Sequence, residues 1–139
     1  MLICDTSGLL AYFDASDQHC DQMCSILDAD PGPFVVSPYV IAELDYLLAT
    51  RCGVHAELAA MQELSGGAWE LPSLTAADLR EACNLIDRYQ DQDIGVADAS
   101  LVVLARRYKT DRLLTLDRRH FRVIRTPTGG PFALLPEGT

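Results

Sequence analysis

The sequence contains no apolar run that approaches the roughly 20 residues needed to span a bilayer. It begins without a basic region followed by a small-residue cleavage site, so we expect no secretory signal peptide. No repeat, linker or low-complexity stretch divides it, and we therefore expect residues 1–139 to form a single domain. A hydrophobic content of 49% favours a folded core over disorder.

Pairs of cysteine and histidine at zinc-ligand spacing are also missing. The five cysteines are odd in number and irregularly spaced, which argues against a disulfide framework and favours the reducing cytoplasm. His19, Cys20 and Cys24 could form part of a zinc site, but no second pair follows nearby. Buried or half-buried thiols are the better interpretation.

Positive charge is scarce in the first part of the chain. Residues 1–100 contain 3 Lys/Arg and 17 Asp/Glu, whereas residues 101–139 contain 8 and 3. The overall charge of −9 opposes long-range attraction to nucleic acid. The basic carboxyl-terminal part can still form a local basic face, and the alternative is a solvated helix with scattered arginines.

Short apolar runs alternate with amphipathic stretches along the whole chain. The pattern predicts strands at 1–4, 34–36, 68–71, 112–116 and 132–135, with 68–71 near the sheet edge. It predicts helices after Ser7 and at 18–29, 38–51, 54–64, 75–89 and 95–108. We therefore expect an α/β fold of three layers, α/β/α, with a mostly parallel sheet of about five strands.

Four acidic residues fall at strand ends or early in helices. Asp5 and Asp117 each follow a predicted strand, Glu43 lies in the second turn of a helix, and Asp98 lies in the first turn of another. Parallel α/β sheets bind ligands at the carboxyl ends of their strands, so the four side chains can converge there. Each also has a structural interpretation, as a helix cap, a turn residue or a surface acid.

Clustered carboxylates repel one another and raise their own pKa values, and a bound divalent cation removes that penalty. Oxygen ligands without histidine or cysteine suit Mg²⁺, or Mn²⁺ in its place, better than zinc. Such a site takes one or two direct carboxylates and fills the remaining positions with water. Hydrolysis of a phosphodiester by an activated water is the natural chemistry.

Four stretches of the chain carry a family resemblance: LICDTS at 2–7, SPYVIAEL at 37–44, IGVADASL at 94–101 and LLTLDRRHF at 113–121. In this order they resemble the PIN-domain ribonucleases, in particular the VapC toxins of bacterial toxin–antitoxin pairs. The resemblance covers essentially the whole chain. It implies the PIN fold and Mg²⁺-dependent endoribonuclease activity. It also implies a homodimer and a small VapB-type antitoxin that silences the toxin.

The resemblance also implies roles for individual residues. It implies a catalytic tetrad of Asp5, Glu43, Asp98 and Asp117, in which Asp5 and Asp98 are the principal metal ligands. It further implies that three hydroxyl side chains steady the site, namely those of Thr6, Ser7 and Thr115.

Two arginines directly follow the last acid of the tetrad. Arg118 and Arg119 are therefore predicted to contact RNA phosphates next to the cleaved bond. Arg106 and Arg107 lie at the far end of the helix that begins near Asp98, so we expect them to cap that helix or meet solvent.

Two alternatives to a nuclease remain. A phosphoryl-transfer or receiver-like domain would use Asp5 as a phosphate acceptor. Phosphatases of that kind have a second aspartate where Ser7 stands, and receivers require a late lysine, whereas Lys109 is the only lysine. The other alternative is a catalytically silent RNA-binding module, against which the intact tetrad argues.

Overall fold

The computed structural model of the protein describes residues 1–138. Within them a parallel sheet of four strands has the order β2-β1-β3-β4. The strands are β1 (Leu2–Cys4), β2 (Phe34–Val35), β3 (Arg112–Leu114) and β4 (Ala133–Leu135). Six α-helices connect or follow them: α1 (Thr6–Phe13), α2 (Cys20–Ala29), α3 (Pro38–Arg51), α4 (Val54–Leu64), α5 (Ala76–Arg88) and α6 (Val96–Tyr108). A short 3₁₀ turn, Gln90–Gln92, precedes α6.

The described part of the sheet has four strands instead of about five. The predicted strand at 68–71 is reduced to one parallel bridge between Val35 and Glu70. The backbone N–H of Glu70 donates to Phe34 O over 2.8 Å, and that of Val36 donates to Glu70 O over 3.0 Å. Pro72, two residues beyond Glu70, has no N–H to continue the ladder. The prediction of a full strand here is wrong, although the segment does lie at the sheet edge.

The central strand β1 is buried on both of its faces. Leu2, Ile3 and Cys4 are all fully buried, and successive side chains of a strand point to opposite faces. This explains why the strand is a continuous apolar run without alternation. Helix α6 packs against β1, α3 and α5, while α1 packs against α2 and α3. The buried apolar side chains form one continuous core.

Local capping chemistry sets where the helices begin. Ser37 caps α3, accepting a hydrogen bond from Tyr39 N over 3.2 Å, and Pro38 occupies the first helical position. The Ser37 hydroxyl also lies 2.7 Å from that of Ser100, which ties the start of α3 to α6. Thr75 and Asp78 form a complete capping box at α5.

Helix α1 crosses the end of β3 at very short range. A Cβ atom added at Gly8 would lie 3.0 Å from Leu114 Cγ and 3.1 Å from Leu114 O. Glycine at this position therefore permits the close approach of α1 to the sheet.

None of the helices within residues 1–138 has the length and apolar character that a membrane crossing requires.

Candidate active site

One cavity of about 390 Å³ brings together the four acids singled out in the sequence; we call it the acid cavity. Asp5 follows β1 directly, and Asp117 lies three residues beyond the end of β3. Glu43 is on α3 and Asp98 is in the first turn of α6. Asp5 is buried, Asp98 is half-buried, and Glu43 and Asp117 are exposed. The cavity therefore has one desolvated carboxylate, that of Asp5, at its inner end, whereas the carboxylates of Glu43 and Asp117 are in contact with water.

Asp5 caps helix α1 and is also the most buried acid of the cavity. Its Oδ1 accepts from Thr6 N over 2.8 Å, and its Oδ2 accepts from Ser7 Oγ over 3.0 Å and from Thr115 Oγ1 over 2.8 Å. Burial nevertheless raises the pKa of Asp5 from 3.8 to about 6, and the charge of Asp98 adds to the rise. The ionised form is therefore held at a free-energy cost, despite three donors.

Two of the three predicted hydroxyls brace the turn that carries Asp117. Ser7 Oγ accepts from Leu116 N over 2.9 Å and from Asp117 N over 3.2 Å. Thr115 Oγ1 donates to Asp5, and it also lies 3.0 Å from Asp117 O. These bonds link the ends of β1 and β3. The Thr6 hydroxyl is different: it is buried and has no hydrogen-bond partner among residues 1–138.

Asp98 is held by a histidine that the sequence interpretation did not single out. His120 Nδ1 lies 3.0 Å from Asp98 Oδ2, and the ring is buried. Burial raises the pKa of Asp98; His120 opposes the rise, and the charges of Glu43 and Asp117 add to it. The only signal in the sequence was the position of His120, three residues after Asp117.

Arg51, at the end of α3, lines the acid cavity and was also missed. Its side chain is exposed, and among residues 1–138 it is the only basic residue on the cavity wall. Arg51 follows Glu43 by about two turns, or about 12 Å, of the same helix, so both residues lie on one side of α3. That spacing could have identified it. Leu10 and Leu47 complete this side of the cavity.

Neither of the two arginines predicted to bind RNA lines the acid cavity. Arg118 Nη1 donates to Gly138 O over 3.1 Å, and Arg118 lines a different cavity. Arg119 is exposed and lines neither of these two cavities. Arg106 pairs with Glu81 over 2.7 Å, and Arg107 pairs with Asp78 over 2.6 Å. The carboxyl-terminal end of α6 is thus held in ion pairs with α5, and neither arginine lines the acid cavity.

The donor set of the acid cavity suits a hard divalent cation. Within residues 1–138, no three Asp, Glu, His or Cys side chains are gathered closely enough to hold a metal ion by themselves. A cation bound by one or two carboxylates and completed by water is compatible with this arrangement. Asp5 and Asp98, whose pKa values burial raises, would gain most from a neighbouring positive charge.

The comparison with known proteins agrees with the resemblance seen in the sequence. A PIN-domain family model matches residues 2–126. Ribonuclease VapC26 of Mycobacterium tuberculosis is 54% identical over 135 residues, which cover 97% of this chain and 100% of that protein.

Two solved structures show the same fold. One is Mycobacterium tuberculosis VapC20, described as a toxin that cleaves the sarcin–ricin loop, with a TM-score of 0.79 and 22% identity over 84% of this chain and 90% of that one. The other is a toxin–antitoxin complex from Klebsiella pneumoniae, with a TM-score of 0.68 and 18% identity over 89% and 92% of the two chains. The chain therefore belongs to the PIN-domain family and, within it, to the VapC ribonucleases.

Proposed function

We propose that the protein is a Mg²⁺-dependent endoribonuclease, in which Mn²⁺ can replace Mg²⁺, and the toxin of a VapBC-type toxin–antitoxin pair. The observation that supports this most is the acid cavity of a VapC-family chain. Asp5, Glu43, Asp98 and Asp117 come from four separate parts of the sequence and line one pocket. Lys109 lies outside that pocket, so the receiver-like alternative lacks the lysine it requires.

The residues of the cavity divide into those that hold a cation and those that order water. Asp5 and Asp98 would hold Mg²⁺, which when bound supplies charge neutralisation and activation of water for phosphodiester hydrolysis. Glu43 and Asp117 are exposed, so their carboxylates can accept hydrogen bonds from water at the mouth of the cavity. Ser7 and Thr115 fix Asp5 and the turn that carries Asp117.

His120 acts in this proposal as a positioning residue. With its Nδ1 protonated, the imidazole donates to Asp98 Oδ2 over 3.0 Å and limits the rotation of that carboxylate. Outer partners of this kind commonly decide how well a metal-binding carboxylate is oriented.

Arg51 supplies positive charge where the substrate phosphate would enter. An RNA strand that approaches the acid cavity meets four carboxylates and this single guanidinium. Since guanidinium groups match phosphate oxygens with paired N–H donors, Arg51 is suited to hold a phosphate against the repulsion of the acids. Arg118 and Arg119, which follow Asp117, are proposed to contact the strand outside the cavity.

Partner surfaces are available on α3 and α4. Tyr46, Val54 and Leu58 expose 67%, 56% and 51% of their surface, which is unusual for large apolar side chains. We infer that this face takes part in a homodimer or in binding a VapB-type antitoxin.

The five free cysteines within residues 1–138 are compatible with a reducing cytoplasm.

The decisive experiment is cleavage of total RNA by the purified protein with Mg²⁺ and with EDTA. The expected result is cleavage that requires Mg²⁺ and that Asp98→Asn abolishes, because the substitution removes one of the two cation-binding charges. Cleavage that persists in EDTA would contradict the metal dependence. RNA binding without any cleavage would favour the silent RNA-binding module instead.

A further inference from the structure

A second cavity, of about 330 Å³, lies next to the open edge of the sheet at β4. Its walls carry three arginines, Arg112, Arg118 and Arg122, together with residues of β4 and of the segment that follows it. We call it the arginine cavity. Its wall shares no residue with that of the acid cavity.

Two of the three arginines have no carboxylate partner within residues 1–138. Arg112 pairs with Asp30 over 2.5 Å and also donates to Met1 O over 3.2 Å, so its charge is compensated. Arg118 donates only to the carbonyl oxygen of Gly138, and Arg122 forms no ion pair among the described residues. Glu137 also lines the cavity, but it forms no ion pair with either arginine.

The two arginines without a carboxylate partner among residues 1–138, Arg118 and Arg122, are close neighbours. Arg122 N donates to Arg118 O over 3.0 Å, which places the two residues one turn apart and on the same side of that turn. Burial and the charge of Arg122 together lower the pKa of Arg118. The guanidinium groups therefore repel each other, and an anion bound between them would relieve the repulsion.

The chain itself connects the two cavities. Asp117 lines the acid cavity, and Arg118, the next residue, lines the arginine cavity. Consecutive Cα atoms are about 3.8 Å apart, so the walls of the two cavities adjoin at this pair of residues. A strand held over Asp117 can extend directly toward Arg118 and Arg122.

We propose that the arginine cavity is an anion site in which Arg118 and Arg122 bind a backbone phosphodiester of the RNA, outside the bond that is cleaved. This inference rests on the proposed ribonuclease function and defines the path of its substrate. Arginine is suited to the role because its planar group presents paired donors to phosphate oxygens. The site adds Arg122 to Arg118, and the proposed contact of Arg119 with the strand lies outside this cavity.

The test measures binding of a single-stranded RNA oligonucleotide to Asp98→Asn protein across a series of salt concentrations. Adding Arg118→Ala and Arg122→Ala should flatten the slope of log affinity against log salt by about 1.4, since each phosphate contact on single strands contributes about 0.7. The matched control adds Arg80→Ala and Arg88→Ala, which remove two exposed arginines of α5. The control slope should change much less. Equal slopes for the two double variants would overturn the proposal.

A second measurement does not depend on RNA or on cleavage. Inorganic phosphate, titrated into wild-type protein, should cause saturable NMR shifts at residues 118–122, and Arg122→Ala should remove them. The Arg122 side chain is exposed and forms no hydrogen bond with residues 1–138, so this variant should fold normally. No saturable shift at these residues would count against the anion site.

The two proposals can fail separately. If wild-type protein cleaves RNA but the arginine variants match the control, the anion site is wrong and the nuclease function stands. If the arginine variants lose phosphate and RNA binding but wild-type protein never cleaves RNA with Mg²⁺, the anion site stands and the nuclease function is wrong.

Discussion

Replacing Asp5 by asparagine should stabilise the metal-free protein. Asp5 is 5% exposed and its ionised form is desolvated by burial, which raises its pKa to about 6. Asparagine has almost the same shape and no charge. Its Oδ1 can still accept from Thr6 N, and its amide group can donate to the Thr115 hydroxyl, whereas Ser7 Oγ already accepts from Leu116 N and Asp117 N.

The size of the effect follows from the two pKa values. The rise of the Asp5 pKa from 3.8 to about 6 means that, at neutral pH, ionised Asp5 lowers the free energy of unfolding by about 3 kcal/mol. The second amide proton of asparagine lacks an evident acceptor, which costs about 1 kcal/mol. The net gain at pH 7.5 is therefore about 2 kcal/mol. For a chain of this length that gain raises the melting temperature by roughly 7 °C.

The effect should depend on pH with a defined sign. Because the folded pKa is the higher one, the folded state binds more protons than the unfolded state between about pH 4 and pH 6. The stability contribution of Asp5 therefore falls as the pH rises through this window and is constant above it. The difference in free energy of unfolding between Asp5→Asn and wild type should decrease by about 2 kcal/mol when the pH is lowered from 7.5 to 4.5.

Urea and thermal unfolding in EDTA, at both pH values, measure this difference. The matched control is Asp91→Asn, which changes an exposed acid of the 3₁₀ turn and should alter stability by no more than about 0.5 kcal/mol. A variant at Asp5 that is less stable than wild type at pH 7.5, with an unaffected control, would refute the desolvation argument.

Three further results are expected. Mg²⁺ should raise the melting temperature of wild-type protein but not that of Asp98→Asn in differential scanning calorimetry, because a ligand stabilises only a state that binds it. His120→Ala should reduce Mg²⁺ affinity or kcat by about 10–100-fold, with partial recovery in His120→Gln, and equal activity of all three proteins would exclude the positioning role. Arg51→Ala should raise KM about tenfold at nearly constant kcat, whereas Arg80→Ala should leave both unchanged.

Much of the fold follows from local patterns in the sequence. The buried run at 2–4, the Ser-Pro start of α3 and the Thr75–Asp78 capping box each specify an element through neighbouring residues alone. The predicted helices lie within a few residues of those observed. The approach of Asp5, Glu43, Asp98 and Asp117 was also predictable, because the carboxyl ends of parallel strands meet at one edge of a sheet.

The tertiary structure alone decided the rest. The segment at 68–71 has the composition of an edge strand, but its pairing depends on how far Glu70 can follow β2 before Pro72. Arg118 and Arg119 are adjacent and chemically identical, yet only Arg118 lines the arginine cavity. Both arginines follow the turn after β3, in which the backbone N–H groups of Leu116 and Asp117 donate to Ser7 Oγ, far away in the sequence. Contacts between residues more than a hundred positions apart leave no local pattern in the sequence, and such contacts hold the turn that precedes the two arginines.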